Sequence, residues 1–308
     1  MTLQEILDKV DKLNIESNYW FVRTDYGSLF DDFYSGDYIA IGWDYLTLYE
    51  FENSDEYNIK SKMARAEGVD LSKFQGKIKI SAAYNKIKTF TNLRKDDIVI
   101  IPSRNSDRLA FGRIVDEQPY EDLNAKRFIK RRKVKWLEIK EMSDLNPIFY
   151  QVKSNQHTIS NVKHYSQHID RVVGNLFKKG ENTHYVLKIE KPDDINFEEL
   201  RVLMDSIQTL VQNINETFNF NDYSGEFYIK INLQSKGAVE LIKKGKSLSV
   251  LAYLIFLTSC NKLDNAQDDE IRTLITRNRN VLEDTSLVID SLKIDTNELV
   301  KPFKEDGN

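Results

Sequence analysis

The sequence predicts an α+β protein built as two units. Its 308 residues exceed what one small module needs to bury a core, and the domain-size relation favours two. Short runs of aromatic and β-branched residues with alternating hydropathy read as strands. Between them lie longer runs whose apolar residues recur three and four apart, the spacing of amphipathic helices.

Residues 1–17, MTLQEILDKVDKLNIES, read as a leading amphipathic helix. NYWFVRTD at 18–25 alternates as a strand. In YGSLFDDFYSG, Leu29, Phe30 and Phe33 sit at helical spacing with Gly36 as terminator, so a helix of one or two turns follows. YIAIGW is a second strand that runs into glycine and a large aromatic. The charged stretch 50–79 is weakly helical, and 81–93 is a clearer amphipathic helix. DIVIIP and RLAFGRIV are strands joined by the turn-forming SRNSD, and 130–142, KRRKVKWLEIKEM, alternates as another. From Thr158 to Phe177 the apolar positions suit a closing helix. KKGEN at 178–182, charged and glycine-containing, reads as the joint between units, so the first domain is expected over 18–180 and the second over 181–308.

Beyond the joint, HYVLKIEK is a strand, FEELRVLMDSIQTLVQNINETFN a long amphipathic helix and EFYIKINLQ a further strand. SKGAVELIKKGKSLSVLAYLIFLTSC reads as helical, and NAQDDEIRTLITRNRNVLED as a polar helix. This half is expected to be a smaller α/β or α+β domain for oligomerisation or for coupling to a separately encoded effector.

With 41% hydrophobic and 30% charged residues the composition is that of a globular chain. The lone Cys260 forms no internal disulfide, and together with the absence of signal-peptide features this suits a reducing, cytoplasmic setting. The apolar run 248–260 is shorter than the roughly 20 residues that cross a bilayer, so a buried helix and no membrane partner are expected. The net charge of −4 hides an asymmetry. Residues 1–180 carry 29 basic against 26 acidic side chains, a balance of +3, and 181–308 carry 15 against 22, a balance of −7. Contact with a polyanion must then come from a local patch in the first half.

Three stretches, 18–46, 93–120 and 131–139, carry a family likeness. In order they supply a strand with the flavour W-x-V/I-R, a V-A-I-G-W strand, a K-G-D-x-V strand entry with a G-x-I exit, and an R-x-V-x-W strand. The first half thereby resembles the PUA-like superfamily that includes EVE and YTH modules, above all the version at the N-terminus of Mrr-type and McrB-type modification-dependent restriction proteins. One departure stands out: Asp96 occupies the place of the glycine in K-G-D. The resemblance implies a curved, mostly antiparallel β-barrel with flanking helices and a pocket that accepts a flipped, modified base of DNA between aromatic side chains. It also implies a restriction-like or anti-phage role, with RNA or a nucleotide as alternative ligands, since fold does not settle ligand.

A flipped base needs flat aromatic walls and a few fixed polar groups. Trp43, where the second strand stops, is the expected wall, with Tyr45 or Tyr19 opposite. Arg23, Thr24 and Asp25, with Ser103 and Arg104 at a comparable strand exit, are the expected edge contacts. Trp20 and Trp136 read as core. The one dense basic run places Arg131, Lys133 and Lys135 on one side of a strand and Lys130 and Arg132 on the other, and these five are expected to meet phosphate.

No complete catalytic constellation is visible. KKGKSLS holds only the GKS fragment of a phosphate-binding loop. An Mrr-like nuclease would draw on Asp222, Gln234 and Lys236, yet lacks the converging carboxylates that hold metal. No metal site or cofactor is expected.

Overall fold

The computed structural model describes residues 1–12, 17–220, 227–232, 237–296 and 303. The chain divides into two compact units: Ser17–Val173, called the central unit, and Met1–Glu16 with Gly174–Asn308, called the flanking unit. Helix α1 (Leu3–Asp11) thus belongs with the C-terminal half, where Ile6 and Val10 enter the same apolar core as Leu187 and Val250. Thr2 and Glu5 close its first turn with a capping box.

The central unit is built on β1 (Tyr19–Val22), β2 (Tyr38–Ile41), β3 (Ile98–Pro102), β4 (Arg108–Ile114), β5 (Tyr120–Glu121), β6 (Lys130–Glu141) and β7 (Ile159–Asn161). They form one mixed sheet in the order β2-β6-β4-β3-β1-β7, with β5 also on β6, curled into a half-barrel. Strands β1 and β3 are parallel, so both leave the sheet at the same end. Alternation distributes each strand between two cores. Val22, Val99, Ile101, Ala110 and Val134 pack on one face with Phe30 and Phe33 of α2 (Phe30–Ser35). Tyr19, Phe21, Ile98, Ile100 and Phe111 pack on the other with Phe149 and Ile169. A third cluster joins α3 (Leu48–Asn53), α4 (Glu56–Glu67) and α5 (Phe74–Thr91) through residues such as Ile59, Met63, Ile80 and Ile87.

Asp96 keeps the left-handed backbone that glycine favours, with φ 68°. Asp tolerates that region better than most residues. Its amide donates to the Ile114 carbonyl at 2.9 Å, so the turn keeps its form without the glycine.

The expected closing helix over 158–177 is instead three elements. After α6 (Phe149–Lys153), Ile159–Asn161 is β7, which satisfies the free edge of β1; a 3-10 turn over Lys163–Tyr165 then leads into α7 (Ser166–Val173), the one α-helix of the segment. Leu176–Lys179 is already strand β8 of the flanking unit. The KKGEN joint is a tight hairpin: Lys179 pairs with Asn182, and Gly180 takes the positive φ of 61° that a two-residue loop asks of its first position. The change of unit falls earlier, at Val173–Gly174.

In the flanking unit β8, β9 (Asn182–Ile189), β10 (Phe227–Asn232) and β11 (Gly237–Lys244) form an antiparallel sheet in the order β10-β11-β9-β8. GAVELIKK, expected to be helical, is thus a strand. It hydrogen-bonds to neighbours on both sides, and its Val239 and Leu241 enter the core at period two. Helices α8 (Phe197–Phe218), α9 (Ser247–Ser259), α10 (Asp269–Arg277) and α11 (Arg279–Ser291) complete it. Helix α9 is buried almost all round, as its uninterrupted apolar run demands. The expected single polar helix is two, parted at buried Asn278, whose side-chain amide donates to the Leu274 carbonyl at 2.8 Å. Among the described residues no helix is long and apolar enough to cross a membrane.

Candidate functional site

The parallel pair β1 and β3 brings the two predicted strand exits together. The Thr24 hydroxyl, fully buried, donates to the Pro102 carbonyl at 2.5 Å. Beyond it the chain turns through Asp25, Tyr26 and Gly27, with φ of 49°, 58° and 90°. A Cβ on Gly27 would stand 2.3 Å from the Arg104 backbone, so only glycine allows the two loops to touch. Asn105 and Ser106 opposite are left-handed as well, at 58° and 57°. Each non-glycine residue held there costs about 1–2 kcal/mol. The predicted edge contacts therefore divide. Thr24 and Ser103 are buried and spent, the latter's Oγ accepting from the Arg108 amide at 2.8 Å. Arg23 donates to Gln156 at 3.2 Å, Asp25 pairs with Arg127 at 3.6 Å, and Arg104 is exposed.

Trp43 is half-buried between two apolar clusters, with φ 60°. Its indole N–H donates to Glu67 Oε1 at 2.9 Å, and the Tyr45 hydroxyl donates to the same oxygen at 3.0 Å. Lys79 pairs with the other oxygen at 3.0 Å. Burial works against ionisation of Glu67, but hydrogen bonds from Lys79, Tyr45 and Trp43 outweigh it and hold the carboxyl below its usual range. Burial and the Glu67 carboxylate push the Tyr45 phenol well up. Tyr19 is no partner to this group. It lies 4% exposed in the opposite core, its hydroxyl 2.5 Å from Asp170, and desolvation with that carboxylate keeps it protonated.

The basic run on β6 alternates as expected, but not all five residues reach solvent. Lys130 and Arg132 are 0% exposed. Lys130 Nζ donates to the Trp43 and Leu46 carbonyls, each at 2.9 Å, with Asp44 at 3.6 Å. Burial lowers its pKa, opposed by Asp44 and Glu121. Arg132 binds the Asp116 carboxylate at 2.8 Å and the Leu93 carbonyl. Both are structural cations and cannot meet phosphate. Arg131 is committed too, to Asp122 at 2.6 Å and to the Tyr38 ring at 3.9 Å. Lys133 and Lys135 are exposed and, among the described residues, in no ion pair.

Those two lysines line a surface cleft of about 580 Å³. Tyr34, Gly36 and Asp37 border it from the α2–β2 turn, Val115 and Tyr120 from the β4–β5 connection, and Lys133 to Trp136 from β6. Trp136 sits at a β-bulge: Gly112 pairs with Trp136 and Phe111 with Glu138, which leaves Leu137 as the extra residue. The indole lies over Gly112, where a Cβ would stand 2.6 Å from the ring. Tyr34 faces it at 5.6 Å between centroids, tilted 31°. Lys133 Nζ is 5.9 Å from the Tyr120 centroid. The Trp136 indole N–H is buried with no hydrogen-bond partner among the described residues, a donor costly to leave unmade.

None of Trp43, Tyr45, Tyr19, Arg23, Thr24, Asp25, Ser103 or Arg104 lines this cleft. Trp136, read as core, does. Gly112 within a strand is the signal that points to it, since such glycines mark a bulge or a close approach. Asp222, Gln234 and Lys236 lie outside the described residues. Among the described residues no three His, Cys, Asp or Glu side chains gather as a metal site.

Residues 20–163, the greater part of the central unit, match a family model described as a domain of unknown function, DUF8426. No curated protein and no solved structure matches the chain.

Proposed function

We propose that the chain is a nucleic-acid-binding sensor whose central unit takes a nucleobase, modified or flipped, into the cleft of Tyr34, Tyr120 and Trp136. The observation that carries this reading is the meeting, in one cleft, of three aromatic side chains with the two lysines of the basic run that are in no ion pair among the described residues. Stacking serves any base, and the lysines meet the phosphates beside it. A volume of about 580 Å³ is within the usual range of ligand pockets. The resemblance of residues 18–46, 93–120 and 131–139 to PUA-like modules adds DNA carrying a modified base as the preferred target, in a restriction-like or anti-phage setting. The protein binds without cutting, and the flanking unit passes the signal to a second copy or to an effector.

The test is the salt dependence of binding to DNA and RNA oligonucleotides, single- and double-stranded, with and without modified bases. Replacing Lys133 and Lys135 together by glutamine flattens the slope of log K against log salt by about 0.9 per lost duplex contact. It lowers affinity for modified and unmodified probes alike, because phosphate contacts carry no base identity. An unchanged slope would remove the two lysines from the interface.

A further inference from the structure

We infer that Tyr26, at the tip of the β1–α2 turn, is a second stacking element of the central unit and inserts against a base neighbouring the one held in the cleft. The inference rests on the nucleic-acid reading above and adds a residue and a surface to it.

Tyr26 is 91% exposed, so nothing in the fold requires its ring. Its backbone is nonetheless held in the left-handed conformation that a tyrosine rarely adopts. The turn beneath it is locked. The Thr24 carbonyl accepts from the amides of Gly27 and Leu29, each at 3.0 Å, and the Asp25 carbonyl accepts from the amide and hydroxyl of Ser28. Close contact of Gly27 with the Arg104 backbone fixes it against the β3–β4 loop. An exposed aromatic side chain on a strained and pinned backbone is presented in advance to a partner, and the ordering entropy of that backbone is already spent.

Two cations stand beside the turn, along with the exposed Asp31, Asp32 and Asp107. Arg104 and Arg108 flank the turn, both exposed and in no ion pair among the described residues, and Arg108 is held 5.4 Å above the Phe30 ring. Asp25, the acid of the turn, is already paired with Arg127. The turn is also tied to the cleft. Helix α2 follows it and carries Tyr34 in its last turn, with Phe30 and Tyr34 stacked at 4° and Tyr34 in turn against Trp136. Tyr26 and Tyr34 thus lie on one short stretch of chain, the first just before α2 and the second within it.

The test is fluorescence anisotropy of the full chain with a labelled single-stranded DNA of about 20 nucleotides and with its duplex, a length that exceeds single-module site sizes. Tyr26→Ala weakens binding roughly 5- to 150-fold, the loss of one stacked base, and Tyr26→Phe retains it. Tyr26→Gly separates recognition from folding: glycine prefers this φ, so its thermal midpoint is equal to or above wild type while binding falls as for alanine. If wild type binds and both Tyr26→Ala and Tyr26→Gly bind as wild type, Tyr26 belongs to another partner and the inference is overturned, with the cleft untouched. If Lys133 and Lys135 variants also leave wild-type binding intact, the cleft reading fails with it. A wild-type chain that binds neither probe overturns both.

Discussion

At Glu67 three donors converge on one carboxylate, and the depressed pKa that results is a statement about stability. A carboxyl whose folded pKa lies below its unfolded value stabilises the fold above the unfolded pKa and loses that contribution as pH falls through the folded pKa. Urea unfolding is expected to show a smaller acid sensitivity below about pH 4.3, the ordinary glutamate value, in Glu67→Gln than in wild type. An equal loss in both would mean that Glu67 does not couple Trp43 and Tyr45 to α4. The place of Trp43 at the end of a strand was legible in YIAIGW. Its anchor 24 positions later was not, because a hydrogen bond between remote residues leaves no mark in local pattern. Asp96 is the opposite case: the sequence marks a missing glycine, and the backbone shows what replaces it.

On strand β6 the period of two was legible, and it did separate Lys130 and Arg132 from Arg131, Lys133 and Lys135. Which side faces inward was not, since Asp44, Asp116 and the Leu93 carbonyl come from other elements. Buried cations need such partners, and removing one member of a buried pair typically costs about 3–5 kcal/mol. Arg132→Ala is therefore expected to destabilise the central unit by about that much, and Lys133→Gln, at an exposed position, to stay within about 0.5 kcal/mol. Chemical denaturation of the two variants checks the alternation directly; equal stabilities would contradict it. Helical spacing misled over 158–177 because Ile159, Val162 and Ile169 are all buried, but Ile159 in one core and the other two in the opposite one, from a strand, a turn and a helix in succession.

For the whole molecule, the two-unit division and the mixed α+β character were readable from length and pattern, whereas the passage of α1 to the C-terminal core was not, since any amphipathic helix fits any apolar face. The candidate site shows the same limit. Lys133 and Lys135 were found by charge and period, while Tyr34, Tyr120 and Trp136 meet only through the curl of the sheet and the bulge at Gly112. The central claim is that this cleft holds the base, and the most direct measurement is the affinity of the full chain for modified against unmodified oligonucleotides in Trp136→Ala and Trp43→Ala. The account predicts that Trp136→Ala loses discrimination and about 1–3 kcal/mol of binding, the range for one stacked base, while Trp43→Ala lowers thermal stability and keeps discrimination. Discrimination that survives in Trp136→Ala and vanishes in a stably folded Trp43→Ala would contradict it and move the pocket to the end of β2.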